Sequence, residues 1–194
     1  MALDPTHTYT VFAGARRLAS GPPEEVAAAA RVRGGDQSLL VFDDVTGSQV
    51  ELDLRGSEEQ VRARYRAAPQ PPEARGRGRP RLGVVAREVT LLPDQWEWLA
   101  AQPGGASVVL RKLVQEARRA GSGRDRMRRA QERCYKVMVA LAGDRPGFEE
   151  AARSLFRADM ETFRQLAERW PADIREHLLR LADPDDAAST RSPE

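Results

Sequence analysis

Several residue types that build reactive sites are scarce in this chain of 194 residues. A single cysteine, Cys134, excludes an internal disulfide and indicates a reducing compartment. It lies among apolar residues at helical spacing, which predicts a buried and inert thiol. No apolar run approaches the roughly 18 residues of a membrane span, and the first residues lack a basic-then-apolar signal pattern. We therefore expect a soluble cytoplasmic protein.

Histidine, a frequent residue in acid–base and metal sites, is also scarce. The two histidines, His7 and His177, lie near the N-terminus and in a predicted helix, and neither belongs to a metal-ligand spacing or a catalytic motif. The adjacent pairs Asp43-Asp44 and Asp185-Asp186 follow a strand and lie in the tail, where solvated acids are expected. The sequence therefore predicts no enzyme active site, no cofactor and no metal.

Charge is unevenly distributed along the chain, although the net charge is only +2. Residues 1–60 carry 5 basic and 10 acidic side chains, residues 61–136 carry 18 and 7, and residues 137–194 carry 8 and 12. Nearly all basic residues are arginine, since Lys112 and Lys136 are the only lysines. A basic middle between acidic ends predicts a local site for a polyanion, although a GC-rich genome would also enrich arginine throughout.

Hydrophobic periodicity and breaker residues predict an α+β fold. Alternation around Tyr9–Ala13 and Val50–Leu54, and the apolar run Leu39–Phe42, predict strands. Helices are predicted after Pro22-Pro23 and after Ser57, the expected N-cap. The predicted domains are a small α+β unit (1–67), a flexible Pro/Gly/Arg-rich linker (68–82), a strand-helix-helix unit (83–120), a C-terminal helical bundle (121–182) and a disordered tail (183–194).

The predicted middle unit begins with a strand over Leu82–Leu92, followed by a short helix over Gln95–Gln102 and a second helix over Val108–Arg119 that Ser107 caps. Gly121-Ser122-Gly123 predicts a hinge before a long amphipathic helix over 124–142. Trp96 and Trp98 cannot share one helix face, so we expect one in the core and the other exposed. Both would be core if the helix lay between two domains.

The segment Arg75-Gly-Arg-Gly-Arg-Pro-Arg81 resembles the core of an AT-hook, a short motif that binds the DNA minor groove. Its glycines and proline favour an extended chain, and arginine is favoured in a narrow minor groove. The resemblance implies that Arg77 and Arg79 enter the groove while Arg75 and Arg81 contact phosphates. The alternative interpretation is a solvated linker in an arginine-rich protein.

Two further resemblances involve the following residues. Strand, proline, helix, Gly105-Ala-Ser107 and helix form the order of a ribbon-helix-helix DNA-binding unit, although its first helix is about a turn short. That resemblance implies paired strands in the major groove and a phosphate at the second helix. The chain also resembles an uncharacterised bacterial family, a domain of unknown function, over Gly78–Pro93, Trp96–Leu99, Gln102–Ser107, Leu110–Val114 and Ala172–Leu178.

These observations together predict a DNA-binding protein, either a transcriptional regulator or a nucleoid-associated protein. Besides the hook, the predicted DNA contacts are Arg87, Thr90, Ser107, Arg111, Lys112, Arg118, Arg119, Arg124, Arg126, Arg128 and Arg129. The partners would be double-stranded DNA and a second copy, paired through Val84–Leu92 unless that strand joins the sheet of its own chain. The alternative function is a protein-interaction or adaptor module whose basic middle binds an acidic protein.

Overall fold

The computed structural model describes residues 3–35, 37–66 and 87–186. An antiparallel sheet and a set of helices confirm the α+β class. The strands are β1 (Tyr9–Ala13), β2 (Arg16–Gly21), β3 (Leu39–Asp43) and β4 (Gln49–Val50). The helices are α1 (Pro23–Arg33), α2 (Glu58–Tyr65), α3 (Pro93–Ala100), α4 (Ala106–Ala142), α5 (Phe148–Phe156), α6 (Met160–Ala167) and α7 (Ala172–Ala182).

The sheet has the order β2-β1-β3-β4 and is buried on both faces at its centre. Alternate residues of a strand point to opposite faces. Val11 and Val41 accordingly join a core with Val26 of α1, whereas Phe12 and Phe42 join a second core with the C-terminal helices. The alternating residues that predicted β1 therefore point to two different hydrophobic cores, one on each face of the sheet.

Two short strands differ from the sequence-based prediction. β2 was not predicted, because an edge strand that buries little besides Leu18 gives no clear alternation. The predicted strand over Val50–Leu54 is wrong beyond Val50, where β4 ends. Leu52 and Leu54 still pack against the first core, so their alternation reflects packing rather than strand pairing.

Local signals set the starts of the first two helices. α1 begins at Pro23, a position where the missing N–H of proline is not needed, and acidic residues fill its first turn. Ser57 caps α2 as predicted: its hydroxyl accepts a hydrogen bond from the Gln60 amide, and the Gln60 side chain accepts one from the Ser57 amide. This reciprocal pair satisfies two amides that the helix leaves free.

One compact unit comprises Met1–Ala68 and Gly123–Glu194. The second half of α4 contributes buried residues at three- and four-residue spacing, among them Cys134, Met138 and Leu141. They pack with apolar side chains of α5, α6 and α7, and with Phe12 and Phe42 of the sheet. The predicted N-terminal domain and the predicted C-terminal helices thus share a core.

The second compact unit is Pro69–Ser122, of which residues 87–122 are described. It holds α3 and the start of α4. The predicted hinge at Gly121–Gly123 is wrong, because α4 continues without a break from Ala106 to Ala142. A glycine inside a helix costs about 1 kcal/mol relative to alanine, which the good helix formers on both sides offset.

Two predictions for the middle unit are wrong. The predicted strand reaches Leu92, but residues 87–92 form no strand, and Arg87–Thr90 are exposed. A strand needs a hydrogen-bonding neighbour, and the described sheet ends at β2 and β4. Neither tryptophan is in the core, since Trp96 is 41% and Trp98 51% exposed while Leu99 fills the buried position of α3.

Some predictions lie outside the described residues. These are the linker between residues 67 and 86, the first part of the predicted strand, and the tail after residue 186. Within the described part of the chain, no helix combines the length and apolar character needed to cross a membrane.

Candidate functional site

The predicted DNA contacts fall into three groups in the structure. The hook residues Arg75, Arg77, Arg79 and Arg81 lie outside the described residues. Arg87 and Thr90 are exposed in the segment before α3. The remaining predicted residues lie on α4.

The start of α4 differs from the prediction. The helix begins at Ala106, and the amides of Val108 and Val109 both donate to the Gly105 carbonyl oxygen. Gly105 has φ +74°, a conformation that favours glycine. The predicted cap at Ser107 is therefore wrong, and Ser107 lies exposed within the first turn.

Residues 106–129 of α4 form what we call the basic segment. It contains eight basic and two acidic side chains, a net charge of +6. All eight basic side chains are exposed: Arg111, Lys112, Arg118, Arg119, Arg124, Arg126, Arg128 and Arg129. The structure thus exposes every basic residue of α4 that the sequence predicted as a DNA contact.

Only two of these side chains form ion pairs with other described residues. Arg126 lies 3.3 Å from Asp185, and Arg128 lies 3.7 Å from Asp125 and 3.8 Å from Glu132. Exposed pairs of this kind contribute little and are screened by salt. The basic segment therefore keeps most of its charge available for an external anion.

A second candidate site, which the sequence did not predict, is buried between the sheet and α7. We call it the Asp44 cluster, and its members are Thr10, Ser20, Asp44, His177 and Arg180. The Asp44 side chain is 3% exposed, and His177 is fully buried. The prediction of a solvated aspartate is therefore wrong at Asp44, whereas His177 lies in a helix, α7, as predicted.

The hydrogen bonds of the Asp44 cluster fix its protons. The Thr10 hydroxyl donates to Asp44 Oδ2 at 2.9 Å, so the Ser20 hydroxyl must donate to Thr10 across their 2.6 Å contact. Arg180 Nη2 donates to Asp44 Oδ2 at 2.8 Å and lies 3.1 Å from His177 Nδ1. Because arginine has no acceptor, Nδ1 accepts and the ring proton is on Nε2.

Burial decides which groups of this cluster are charged. It lowers the pKa of His177 to about 3, with Arg180 and Arg17 acting in the same direction, so the ring is neutral. Burial also raises the pKa of Asp44, which Arg180 and Thr10 partly counteract. The ion pair of the cluster is Asp44 with Arg180, whose Nη2 lies 2.8 Å from Oδ2, and the 3.6 Å approach of the neutral His177 ring to Asp44 Oδ1 is not an ion pair.

Polar atoms without partners are concentrated here. Among the described residues, the buried side-chain atoms that lack a hydrogen bond are Thr8 Oγ1, Asp44 Oδ1, His177 Nε2 and Arg180 Nε. Buried polar networks are costly when only partly satisfied. A neutral, inaccessible His177 cannot exchange protons with a substrate in this conformation, so the cluster's evident role is to tie β3 to α7.

The neighbouring Asp43 is also buried rather than solvated. Its Oδ1 accepts hydrogen bonds from the amides of Val45 and Thr46 and so shapes the turn after β3. Its Oδ2 lies 2.9 Å from His7 Nδ1. Both histidines of the chain therefore lie beside consecutive aspartates, an arrangement that no local sequence pattern signals.

A buried arginine supports the same region. Arg133 on α4 is 3% exposed and donates to the carbonyl oxygens of Leu181, at 2.7 Å, and Asp183. Carbonyls at a helix C-terminus favour a cation. Burial lowers the pKa of Arg133, and nearby acids oppose that shift. Cys134 beside it is buried as predicted, and burial raises the pKa of its thiol.

Comparison with known proteins gives one result. The profile of a family described as an uncharacterized protein conserved in bacteria matches residues 8–182. The chain belongs to this family, DUF2239. The DUF2239 match runs from just before β1 to the last residue of α7 and confirms the resemblance to an uncharacterised bacterial family. No curated protein and no solved structure matches the chain.

Proposed function

We propose that this DUF2239 protein binds double-stranded DNA through the basic segment of α4, with the Arg75–Arg81 hook as a second contact. The observation that carries the proposal is the set of eight exposed basic side chains on one helix, six of them in no ion pair with a described residue. Arginine supplies planar donors that suit phosphate oxygens. The contact through the Arg75–Arg81 hook is proposed from the sequence alone.

The physical reason for preferring a nucleic acid is the density of uncompensated charge. Within 24 residues the segment reaches a net charge of +6, whereas the whole chain has +2. Duplex DNA presents about one negative charge per 1.7 Å of axis, so a helix that carries arginines on several turns can reach several phosphates at once. Each neutralised phosphate releases counterions, which makes such binding strongly salt-dependent.

A matched pair of variants tests the proposed surface. Arg119→Ala/Arg129→Ala removes two basic-segment charges, and Arg157→Ala/Arg169→Ala removes two exposed arginines outside it. None of the four forms an ion pair with a described residue. If both segment residues contact phosphates, the first variant should reduce the log–log salt slope by about 1.8, and the second should leave it unchanged.

Equal effects of the two variants on duplex binding would refute the assignment to α4. Circular dichroism of both variants checks that the helices remain intact. Because all four side chains are exposed, we expect unfolding curves within about 0.5 kcal/mol of the unmodified protein.

A second candidate function is a protein-interaction module with an acidic partner. It is favoured by the exposed large apolar side chains in the unit of Pro69–Ser122, which are Val89, Leu92, Trp96, Trp98, Leu113 and Val114. Exposed apolar side chains that form a contiguous patch mark interaction surfaces. Poly-glutamate separates the two functions, because an acidic-protein site should bind it as well as DNA at equal charge concentration, whereas a phosphate-reading site should prefer DNA.

A further inference from the structure

Two exposed faces with opposite charge lie in the unit of Pro69–Ser122. The first is on α3, where Asp94 neighbours Glu97 at position i+3 and Trp98 at position i+4. All three are exposed, Trp98 by 51%. We call this the acidic face, and it presents two carboxylates with an indole beside that of Asp94.

The second face is on the first turns of α4. Arg111, Val114 and Arg118 occupy positions i, i+3 and i+7 and again share one side of the helix. All three are exposed, Val114 by 57%. We call this the basic face, and it presents an apolar side chain between two guanidinium groups.

The two faces match in chemistry. An indole packs well on an apolar side chain and attracts guanidinium groups to its ring face, and the carboxylates complement the arginines. Within one chain the faces do not satisfy each other, because both Trp98 and Val114 stay exposed, and no ion pair joins them among the described residues. Both faces are therefore accessible to a partner.

We propose that this partner is a second copy of the chain, with the acidic face of each protomer on the basic face of the other. A two-fold dimer makes this contact twice, since residue i meets residue j and j meets i. Charge complementarity identifies the partner, because each copy carries both an acidic face and a basic face. In this dimer Arg111 and Arg118 face the partner, and the other six basic side chains of the segment stay available for DNA: Lys112, Arg119, Arg124, Arg126, Arg128 and Arg129.

Two charge-reversal variants test the proposed dimer, and each serves as the control for the other. Sedimentation equilibrium of the full chain should show a concentration-dependent dimer. Asp94→Lys/Glu97→Lys makes both faces basic, and Arg111→Glu/Arg118→Glu makes both acidic, so each variant alone should dimerise at least tenfold more weakly. Mixed together, the two variants again present opposite charges at both contacts and should recover a heterodimer.

This recovery separates a lost contact from a lost fold, because unfolded variants cannot restore each other. Trp98→Ala should weaken the dimer, and Trp96→Ala is its matched control, since Trp96 is also exposed but lies on the other side of α3. The proposal is overturned by a monomer at all concentrations, by variants that dimerise like the unmodified protein, by a mixture that stays monomeric, or by equal effects of the two alanine substitutions.

Discussion

Replacing Asp44 with alanine should destabilise the unit of Met1–Ala68 and Gly123–Glu194. The substitution removes the acceptor of the Thr10 hydroxyl and the ion partner of Arg180. A hydrogen bond to a charged group contributes about 1.5–3 kcal/mol. Removing one partner of a fully buried ion pair costs about 3–5 kcal/mol.

The expected loss is smaller than that upper range for two reasons. The Arg180 side chain is 32% exposed, so its guanidinium can recover water once the carboxylate is gone. The alanine also relieves the burial penalty that raises the pKa of Asp44. We therefore expect a loss of about 2 kcal/mol in the free energy of unfolding. Asp44→Asn keeps an acceptor for Thr10 and should lose about half as much.

Urea denaturation followed by circular dichroism measures both variants, with an unchanged m-value as the sign that only stability has changed. Asp44→Ala/Arg180→Ala should lose less than the sum of the single variants, with a coupling of about 1 kcal/mol. An Asp44→Ala stability within about 0.5 kcal/mol of the unmodified protein, or full additivity, would refute the reasoning.

Three other predictions follow from single features. His177 has a pKa of about 3 in the folded protein and an ordinary value of 6.5, so between these values only the unfolded chain binds the proton, and stability falls as the pH falls. From pH 7 to pH 5 the free energy of unfolding of the unmodified protein should fall by roughly 1.5–2 kcal/mol more than that of His177→Gln, and parallel pH curves would contradict this. Gly47→Ala should cost at least about 2 kcal/mol, because φ is +67° and the new Cβ would clash with the backbone carbonyl oxygen of Arg133 on α4. Gly14→Ala, with φ +57° and no close neighbour, should cost only about 1 kcal/mol by thermal denaturation, and equal losses would argue against close packing at the turn. In a gel-shift assay, Arg77→Ala/Arg79→Ala should weaken binding to A·T-rich duplexes by about 1–3 kcal/mol per base-contacting arginine, while the melting temperature of the protein stays the same. Unchanged binding would show that the Arg75–Arg81 segment is only a linker.

Local physics explains which parts of the fold the sequence predicted. β1, β3, α1 and α2 were predicted because their apolar alternation, proline or capping serine acts within a few residues. The Ser57 capping box is the clearest case, since both of its hydrogen bonds join residues three apart. Such signals need no knowledge of the rest of the chain.

The wrong predictions share a dependence on distant residues. The residues next to Asp44 in sequence give no sign that its side chain is buried. Its ion partner, Arg180 on α7, lies 136 residues further along the chain. The predicted strand near Leu92 needed a pairing partner that its apolar composition could not guarantee. The predicted hinge in α4 overestimated what Gly121 and Gly123 can do against the helix formers around them.

The basic segment was the part of the candidate site that sequence could predict. The charge of a side chain can be read from the sequence without knowing what the side chain contacts. Once the apolar face of a helix is known, its other positions, including the arginines, are expected in solvent. The sequence could not show which of them would be engaged in ion pairs, as Arg126 and Arg128 are.

The salt dependence of duplex binding tests the central claim most directly. Fluorescence anisotropy of a labelled duplex, titrated with the full chain at several salt concentrations, gives the log–log slope of affinity against salt. With about six phosphates neutralised, we predict a slope near −5, from roughly −0.9 per phosphate. A flat response, or no binding at low salt, would contradict the proposal that this chain binds DNA.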